Sequence, residues 1–391
     1  MADYEQLQAI IAGLDPRITV TTMPAEEALG TALQQEIRAD RPMPPFDKAA
    51  VDGFACRMED LDRELELLET IPAGSMPTKK ILQGQCSRIM TGAAIPAGAD
   101  GVFMIEDAEF PAPGRVRCTN AGSKKNICYL GEDYLANDLL LQPGCLLGPA
   151  QLAVIAGAGY RELKVSAPPR IALIVTGSEL VEYHEEPAGG KIRNTNALQL
   201  LSLLKKIGLK TAYRGIVADE RETLLQSFRE AEQENEVVLF TGGAAVGDFD
   251  LVPGLISDEG YELLWTRTGM KPGNPMCFGI KGEKYVFGMS GNPVSSFVQF
   301  EFLVKPVLFR LMGAAYRPFR IKAVMGQDWY RKNASRFGVV PVGLNSEGEI
   351  MEVPFNGSAH LHALAAASAL MEIPAGLKEI RKGDPVYVRP L

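Results

Sequence analysis

From Arg170 onward, short apolar runs alternate with helix-length amphipathic segments, and this alternation leaves few folds open. RIALIVTGSEL is an apolar run ending in a glycine turn. NALQLLSLLKKIG repeats its leucines at helical spacing and closes at Gly208. TAYRGIVAD reads as strand, RETLLQSFREAEQE as helix and EVVLF as strand. ELLWTRTG and KYVFGMS are further strands, and PVSSFVQFEFLVKPVLFRLMG is a long helix. Helix-length crossovers between apolar strands impose parallel pairing. The segment therefore predicts an α/β fold, a doubly wound, mostly parallel sheet with helices on both faces.

The flanks read differently. Residues 1–40 carry apolar residues at helical spacing in YEQLQAIIAGL and again in AEEALGTALQQEI. The prolines of RPMPPFDKAAVDGFA exclude helix and predict an extended crossing. Residues 50–140 are short strand-like pieces broken by glycine and proline, a small β-rich domain. LGPAQLAVIAGAGY returns to helix, and VSAPPR is a linker. Residues 318–391 hold strand-like pieces and no long helix, a second small β domain.

A chain of 391 residues and net charge −8 can bury several cores. It lacks the basic face of a general nucleic-acid or membrane-surface binder. No apolar run is long enough to cross a bilayer, and MADYEQLQAI is not a signal peptide. Six scattered cysteines without a C-x-x-C pair read as reduced thiols of a cytoplasmic protein. Three histidines make a zinc site a poor expectation. Chemistry here falls to carboxylates, cations, backbone amides and a hard metal ion.

In an open α/β sheet, ligands bind outside the carboxyl ends of the strands. Three loops there are unusual. The first offers Thr176, Gly177, Ser178 and Glu179. The second, VVLFTGGAAVGDFD, offers Thr241, Gly242, Gly243, Gly247, Asp248 and Asp250. The third offers Gly291, Asn292, Pro293, Ser295 and Ser296. Asn292 at the cap and Pro293 in the first turn predict a helix start whose free N–H groups suit an anion. Glycine turns beside paired carboxylates make sense if a divalent cation lies between phosphate and acid. Asp248 or Asp250 would then hold Mg²⁺, with Glu179 joining through the ion or contacting a ligand directly. WTRTGMKPGNP adds the cations Arg267 and Lys271.

Taken in order, FDKAAVDGFA, RIMTGAAIPAGADGVFMIED, TGSEL, KIRNTN, TGGAAVGDFD, MKPGNPMCFG and GMSGNPVSSF resemble the molybdopterin molybdenumtransferases, the MoeA and gephyrin E-domain family. The resemblance spans nearly the whole chain. It implies an elongated helical domain over 1–42 and 141–168 and an inserted β-rich domain over 43–140. It further implies a molybdopterin-binding α/β domain over 169–315 and a C-terminal β domain over 316–391. It implies a homodimer whose active site lies between the α/β domain of one subunit and the second and fourth domains of the other. The implied reaction is Mg²⁺-dependent insertion of molybdate into adenylylated molybdopterin with release of AMP. A molybdopterin adenylyltransferase would donate the substrate. Position by position, the catalytic set falls on Asp52, Thr91, Glu179, Asp219, Arg267 (Lys in many relatives) and Lys271. Pro293 and Ser358 fall on binding positions, Ser358 near the implied molybdate site.

The chain departs from the family pattern in places. Thr241-Gly242-Gly243-Ala244-Ala245-Val246-Gly247 lacks a customary serine, and Lys271-Pro272-Gly273-Asn274-Pro275 has Asn274 where a lysine is usual. Met289-Ser290 replaces Leu-Pro before Gly291. An arginine expected near molybdate falls on Val339 by register, with Arg336 close in sequence. Two alternatives stay open: a non-catalytic paralogue that stores or delivers the pterin, and an enzyme that prefers tungstate.

Overall fold

Four parallel strands with an antiparallel pair at one edge form the sheet that the alternating segment predicts. In the computed structural model, which describes residues 2–120, 122–243, 251–355 and 357–391, these strands are β1 (Ile171–Thr176), β2 (Thr211–Val217), β3 (Val237–Thr241), β4 (Glu262–Arg267), β5 (Pro275–Lys281) and β6 (Lys284–Met289). Their order is β2-β1-β3-β6-β5-β4. Ile171 stands beside Thr211 on one side and Val237 on the other, and Val237 beside Tyr285, all in parallel register. β5 runs antiparallel to both β6 and β4. β5 is not evident from sequence, because it opens in the turn-like PGNP. Proline at the first residue of a strand is nonetheless permitted, since no ladder donor is lost inside.

Alternate residues of the strands divide between two cores, as the period of two requires. Ile171, Leu173, Val175 and Leu239 pack against α1 (Asn196–Lys206) through Leu200 and Leu204. Ala172, Ile174, Val238 and Phe240 pack on the opposite face. There they meet Leu224 and Phe228 of α2 (Arg221–Glu234) and Leu255 and Ile256 of α3 (Val252–Asp258). The long helix after β6 begins as α4 (Pro293–Gln299). It loosens into a π-helical stretch over Phe300–Val304 and continues as α5 (Lys305–Leu311). Pro306 cannot donate an N–H to the helix, and a wider turn just ahead of it accommodates that loss.

The chain divides into two compact units. The first holds residues 1–35, 143–152 and 162–391; the second holds 36–142 and 153–161. In the first unit, the helix Tyr4–Gly13 starts with a capping box between Asp3 and Gln6. AEEALGTALQQEI, expected to be helical, forms only the 3₁₀ turn Ala25–Glu27. Gly30 turns the chain at φ +81°. The N–H groups beyond it then bond to other segments: Gly30 to Leu147, Leu33 to Cys145 and Gln34 to Lys164. Tertiary pairing there outweighs a modest helical preference.

The C-terminal sheet of this unit runs Met270–Lys271, Phe337–Leu344, Ala369–Ile373, Pro385–Pro390, Ile321–Val324. Arg389 and Glu372 from adjacent strands form a buried ion pair, and Arg320 adds a second contact to Glu372 at 2.7 Å. The Arg389 guanidinium also donates to the Tyr4 hydroxyl at 2.8 Å and lies 3.8 Å from the centre of the Phe302 ring.

The second unit is built on a six-stranded sheet in the order Gly101–Met104, Gly53–Cys56, Gln85–Ile89, Glu64–Ile71, Arg115–Cys118, Ala108–Glu109. Phe54, Leu65, Phe103 and Val116 form its core together with Cys56, Cys86 and Cys118. All six cysteines are free thiols. Burial pushes Cys86 and Cys277 up to about 12 and Cys56 further still, so these are packing residues and not nucleophiles. Among the described residues, no helix is long and apolar enough to cross a membrane.

Candidate active site

Because β1, β3 and β6 are parallel, their three glycine loops emerge at the same edge and meet. Gly242 sits at φ +99°, and a Cβ there would lie 1.9 Å from the Thr176 carbonyl oxygen. Only glycine lets these backbones approach so closely. The Gly242 N–H donates to the Met289 carbonyl at 3.2 Å, and a Cβ on Gly291 would come within 3.6 Å of the Gly242 Cα.

The loops enclose a cavity of about 810 Å³. Thr176, Gly177, Glu179, Asp219, Gly242, Gly243, Gly291, Asn292 and Pro293 all line it. Asp219 reaches over from the end of β2. It accepts from the Thr176 hydroxyl and from the Ser178 N–H, the latter at 3.0 Å. Its carboxylate is thereby committed to shaping the first loop. Glu179 is exposed on the cavity wall. Gly247, Asp248 and Asp250, read as phosphate and metal ligands, lie outside the described residues. Among the described residues no three acidic, histidine or cysteine side chains gather as a metal cluster.

A second cavity of about 690 Å³ is lined by Lys271, Ser295 and Ser358. Pro275 and Asn292 line both cavities, so the two adjoin. Lys271 is held because Met270–Lys271 pairs with the start of Phe337–Leu344. Arg267, at the end of the edge strand β4, lines neither cavity. Asn292 occupies the cap position of α4 as expected, but its side chain makes no capping bond.

Val339 and Arg336 both line the second cavity and differ in burial. Val339 is fully buried in the apolar core. Arg336 lines the second cavity with Lys271. With its amide turned to satisfy both neighbours, Asn274 accepts from Arg336 Nη1 at 3.0 Å and donates to the Thr268 carbonyl at 3.0 Å. A guanidinium thus stands against the position where the motif has exchanged lysine for asparagine.

Two further residues, Gln299 and Asn196, position the loops. Gln299 is fully buried in α4. Its Nε2 donates to the carbonyls of Gly273 (3.0 Å) and Pro275 (2.8 Å), while its Oε1 accepts from the Ser290 N–H at 2.9 Å. It ties the lysine turn to the third loop. An amide inside the apolar run SSFVQFEF was the available signal, because a buried polar group needs partners. Asn196, the first residue of α1, donates to the Thr241 hydroxyl at 2.9 Å and to the Gly291 carbonyl at 2.8 Å.

Asp52 and Thr91 belong to the second unit. The Thr91 N–H and hydroxyl both donate to Asp52 Oδ1 at 2.7 Å. The hydroxyl bond first, then the backbone bond, holds the Asp52 carboxyl below the usual carboxylate range. A carboxyl depressed in the fold contributes stability above its unfolded pKa and loses it as pH falls through the folded value. Thr91→Val is therefore expected to raise the Asp52 pKa toward the ordinary aspartate range, read by NMR titration of the carboxyl carbon. An unmoved titration would show that the pair does not hold in solution.

The sequence matches three family models along its length. Residues 2–159 match the MoeA N-terminal region (domain I and II). Residues 172–310 match a probable molybdopterin binding domain, and residues 322–391 match the MoeA C-terminal region (domain IV). The chain is 35% identical over 374 residues to a molybdopterin molybdenumtransferase of Staphylococcus epidermidis, covering 93% of this chain and 89% of that one. It is 34% identical over 384 residues to the Staphylococcus aureus protein of the same name, covering 94% and 91%. The fold superposes on the crystal structure of a molybdopterin biosynthesis moeA protein from Pyrococcus horikoshii OT3. That match has a TM-score of 0.79 and 29% identity, and it covers 100% of both chains.

Proposed function

The chain belongs to the MoeA family of molybdopterin molybdenumtransferases, and from that premise we propose that it releases AMP from adenylylated molybdopterin as it inserts molybdate, with Mg²⁺ as the working metal. It is an enzyme of molybdenum cofactor biosynthesis. The observation that carries the finer reading is the pair of adjoining cavities. One is walled by glycine loops fit for phosphate and pterin, the other by cations and hydroxyls fit for an oxyanion.

In this reading Gly177, Gly242, Gly243, Gly247 and Gly291 leave backbone room for the substrate's phosphates. Thr176, Asn292 and Pro293 complete that wall, with Ser178 in the first loop behind it and Ser295 in the adjoining cavity. Asp219 keeps the first loop in shape. Lys271 and Arg336 offset the charge that develops on phosphate and draw in molybdate, with Ser358 offering a hydroxyl. Arg267 is a more distant cation of the same reaction. Asp52, held ionised by Thr91, serves as a catalytic carboxylate. The donor set of Glu179, Asp248 and Asp250 is all carboxylate oxygen, which suits a hard ion that needs only one or two protein carboxylates beside phosphate and water. A bound Mg²⁺ there would supply charge stabilisation to the phosphate oxygens.

A cytoplasmic homodimer fed by a molybdopterin adenylyltransferase belongs to this reading. So does the division into 1–42 with 141–168, 43–140, 169–315 and 316–391. The spans of the three family models support that division, as does the lack of helix among the described residues of 318–361.

The test mixes purified protein, adenylylated molybdopterin, Mg²⁺ and low molybdate, and quantifies AMP and active cofactor. Wild type is expected to form both, and Asp250→Ala to lose about a hundredfold or more in rate. Arg336→Ala is expected to raise the molybdate needed for half-maximal rate about tenfold, the value of one charge-assisted hydrogen bond. Binding without AMP, even at high molybdate or with tungstate, would favour a storage or delivery protein instead.

A further inference from the structure

Lys271, Arg331, Lys332 and Arg336 line the second cavity, and among the described residues Glu352 is the only carboxylate beside them. The whole chain, by contrast, carries a net charge of −8. Arg331 is the most constrained of these cations. It is partly buried. Its Nε donates to the Leu377 carbonyl at 2.7 Å, its Nη1 to the Arg336 carbonyl at 3.0 Å and its Nη2 to the Pro374 carbonyl at 2.6 Å. A Cβ on Gly338 would lie 2.6 Å from Nη1. Gly338 in turn stands beside Lys271 in parallel register. One guanidinium thus braces the backbone of Arg336 and lies against the residue that pairs with Lys271.

Carbonyl oxygens satisfy the hydrogen bonds of an arginine, but they carry no net charge to offset its own. Arg389 is the contrast, since its charge meets Glu372. Among the described residues no carboxylate pairs with Arg331, and burial alone pulls its pKa below the ordinary arginine value. Charges withdrawn from water are ordinarily paired. A partly buried guanidinium without a carboxylate marks a place where the counter-ion comes from outside the chain.

We propose that Arg331 is a positioning residue of the oxyanion cavity: it sets Arg336 in place and leaves its own positive charge for a bound tetrahedral dianion to balance. The inference rests on the function proposed above, in which that dianion is molybdate. Arg331 acts without touching the ion, through Arg336 and through its field, which a partly desolvated wall screens less than open water does.

Equilibrium dialysis of the full chain against molybdate, with bound metal read by mass spectrometry, tests this. Arg331→Gln keeps a donor for a carbonyl but removes the charge, and it is expected to weaken molybdate binding about tenfold. Arg331→Lys keeps the charge and is expected to stay within about threefold of wild type. Arg317→Gln removes the same charge from an exposed position that lines neither cavity, and it is expected to change nothing. A brace without an electrostatic role would give another pattern: both substitutions at Arg331 would lower the melting temperature and shift binding alike, whatever their charge. That pattern overturns the proposal, and so does unchanged binding in a folded Arg331→Gln protein. Should Arg331→Gln not fold, Arg331→Lys decides: affinity near that of wild type supports the proposal, and a loss of about tenfold overturns it. If wild type binds molybdate with this dependence on Arg331 but releases no AMP in the turnover assay, the functional reading fails while the proposal stands. If wild type binds no molybdate, both fail.

Discussion

Gly242→Ala is expected to cut turnover by at least about a hundredfold and to lower the melting temperature of the first unit by about 5–10 °C. The added Cβ would lie 1.9 Å from the Thr176 carbonyl oxygen, a backbone atom that cannot step aside alone. Overpacking costs about 1–3 kcal/mol, and the left-handed conformation at φ +99° adds about 1–2 kcal/mol for a residue with a side chain. The first and second loops must separate, and shifts of about 1 Å in a site can cost a hundredfold in rate. Gly254→Ala is the control. It sits in α3 with open space around its Cβ position, so alanine there should leave melting unchanged or raise it slightly. Near-wild-type turnover and melting in Gly242→Ala would mean that the loops are not in contact as described.

Glu372→Ala is expected to destabilise the first unit by about 3–5 kcal/mol, the usual result of removing one member of a buried ion pair. Arg389 would be left 8% exposed with its charge opposed by no carboxylate. Arg320 would lose its partner as well, though it is exposed enough for water to compensate. Denaturant titration reads the loss. The double variant Glu372→Met with Arg389→Met should recover most of it, because the penalty lies in the stranded charge and not in the missing attraction. A double variant as unstable as the single one would place the cost in packing instead.

The parts of this molecule that were plain in the sequence are those governed by local pattern. The short apolar runs between helix-length segments pointed to β1, β2, β3, β4 and β6, and the leucine spacing of NALQLLSLLKK to α1. Loops at the ends of parallel strands had to share an edge, so the meeting of Gly177, Gly242 and Gly291 followed from topology. What depended on distant partners was hidden. AEEALGTALQQEI looks helical until Leu147, Cys145 and Lys164 compete for its N–H groups. Register alone favoured Val339 near the implied molybdate site, yet that side chain is fully buried in the core although it borders the cavity. Arg336, one residue before the strand, is free to line the cavity. Gln299 and Asn196 read as ordinary helix residues because their roles lie in carbonyls contributed by other loops.

The contact between Tyr4 and Arg389 has a consequence for how this protein is made. The first helix leaves the ribosome more than three hundred residues before the arginine that completes its packing. Until Arg389 has been made, Glu372 lacks its buried partner, and the Phe302 ring lacks the guanidinium that covers it. Packing of the first helix thus waits on a strand far along the chain, and such long-range contacts slow folding and expose intermediates to chaperones and proteases. A premature stop or a clip just before Pro385 would remove that strand. The shortened chain would keep every glycine loop of the site, yet cellular quality control would see it as unfinished.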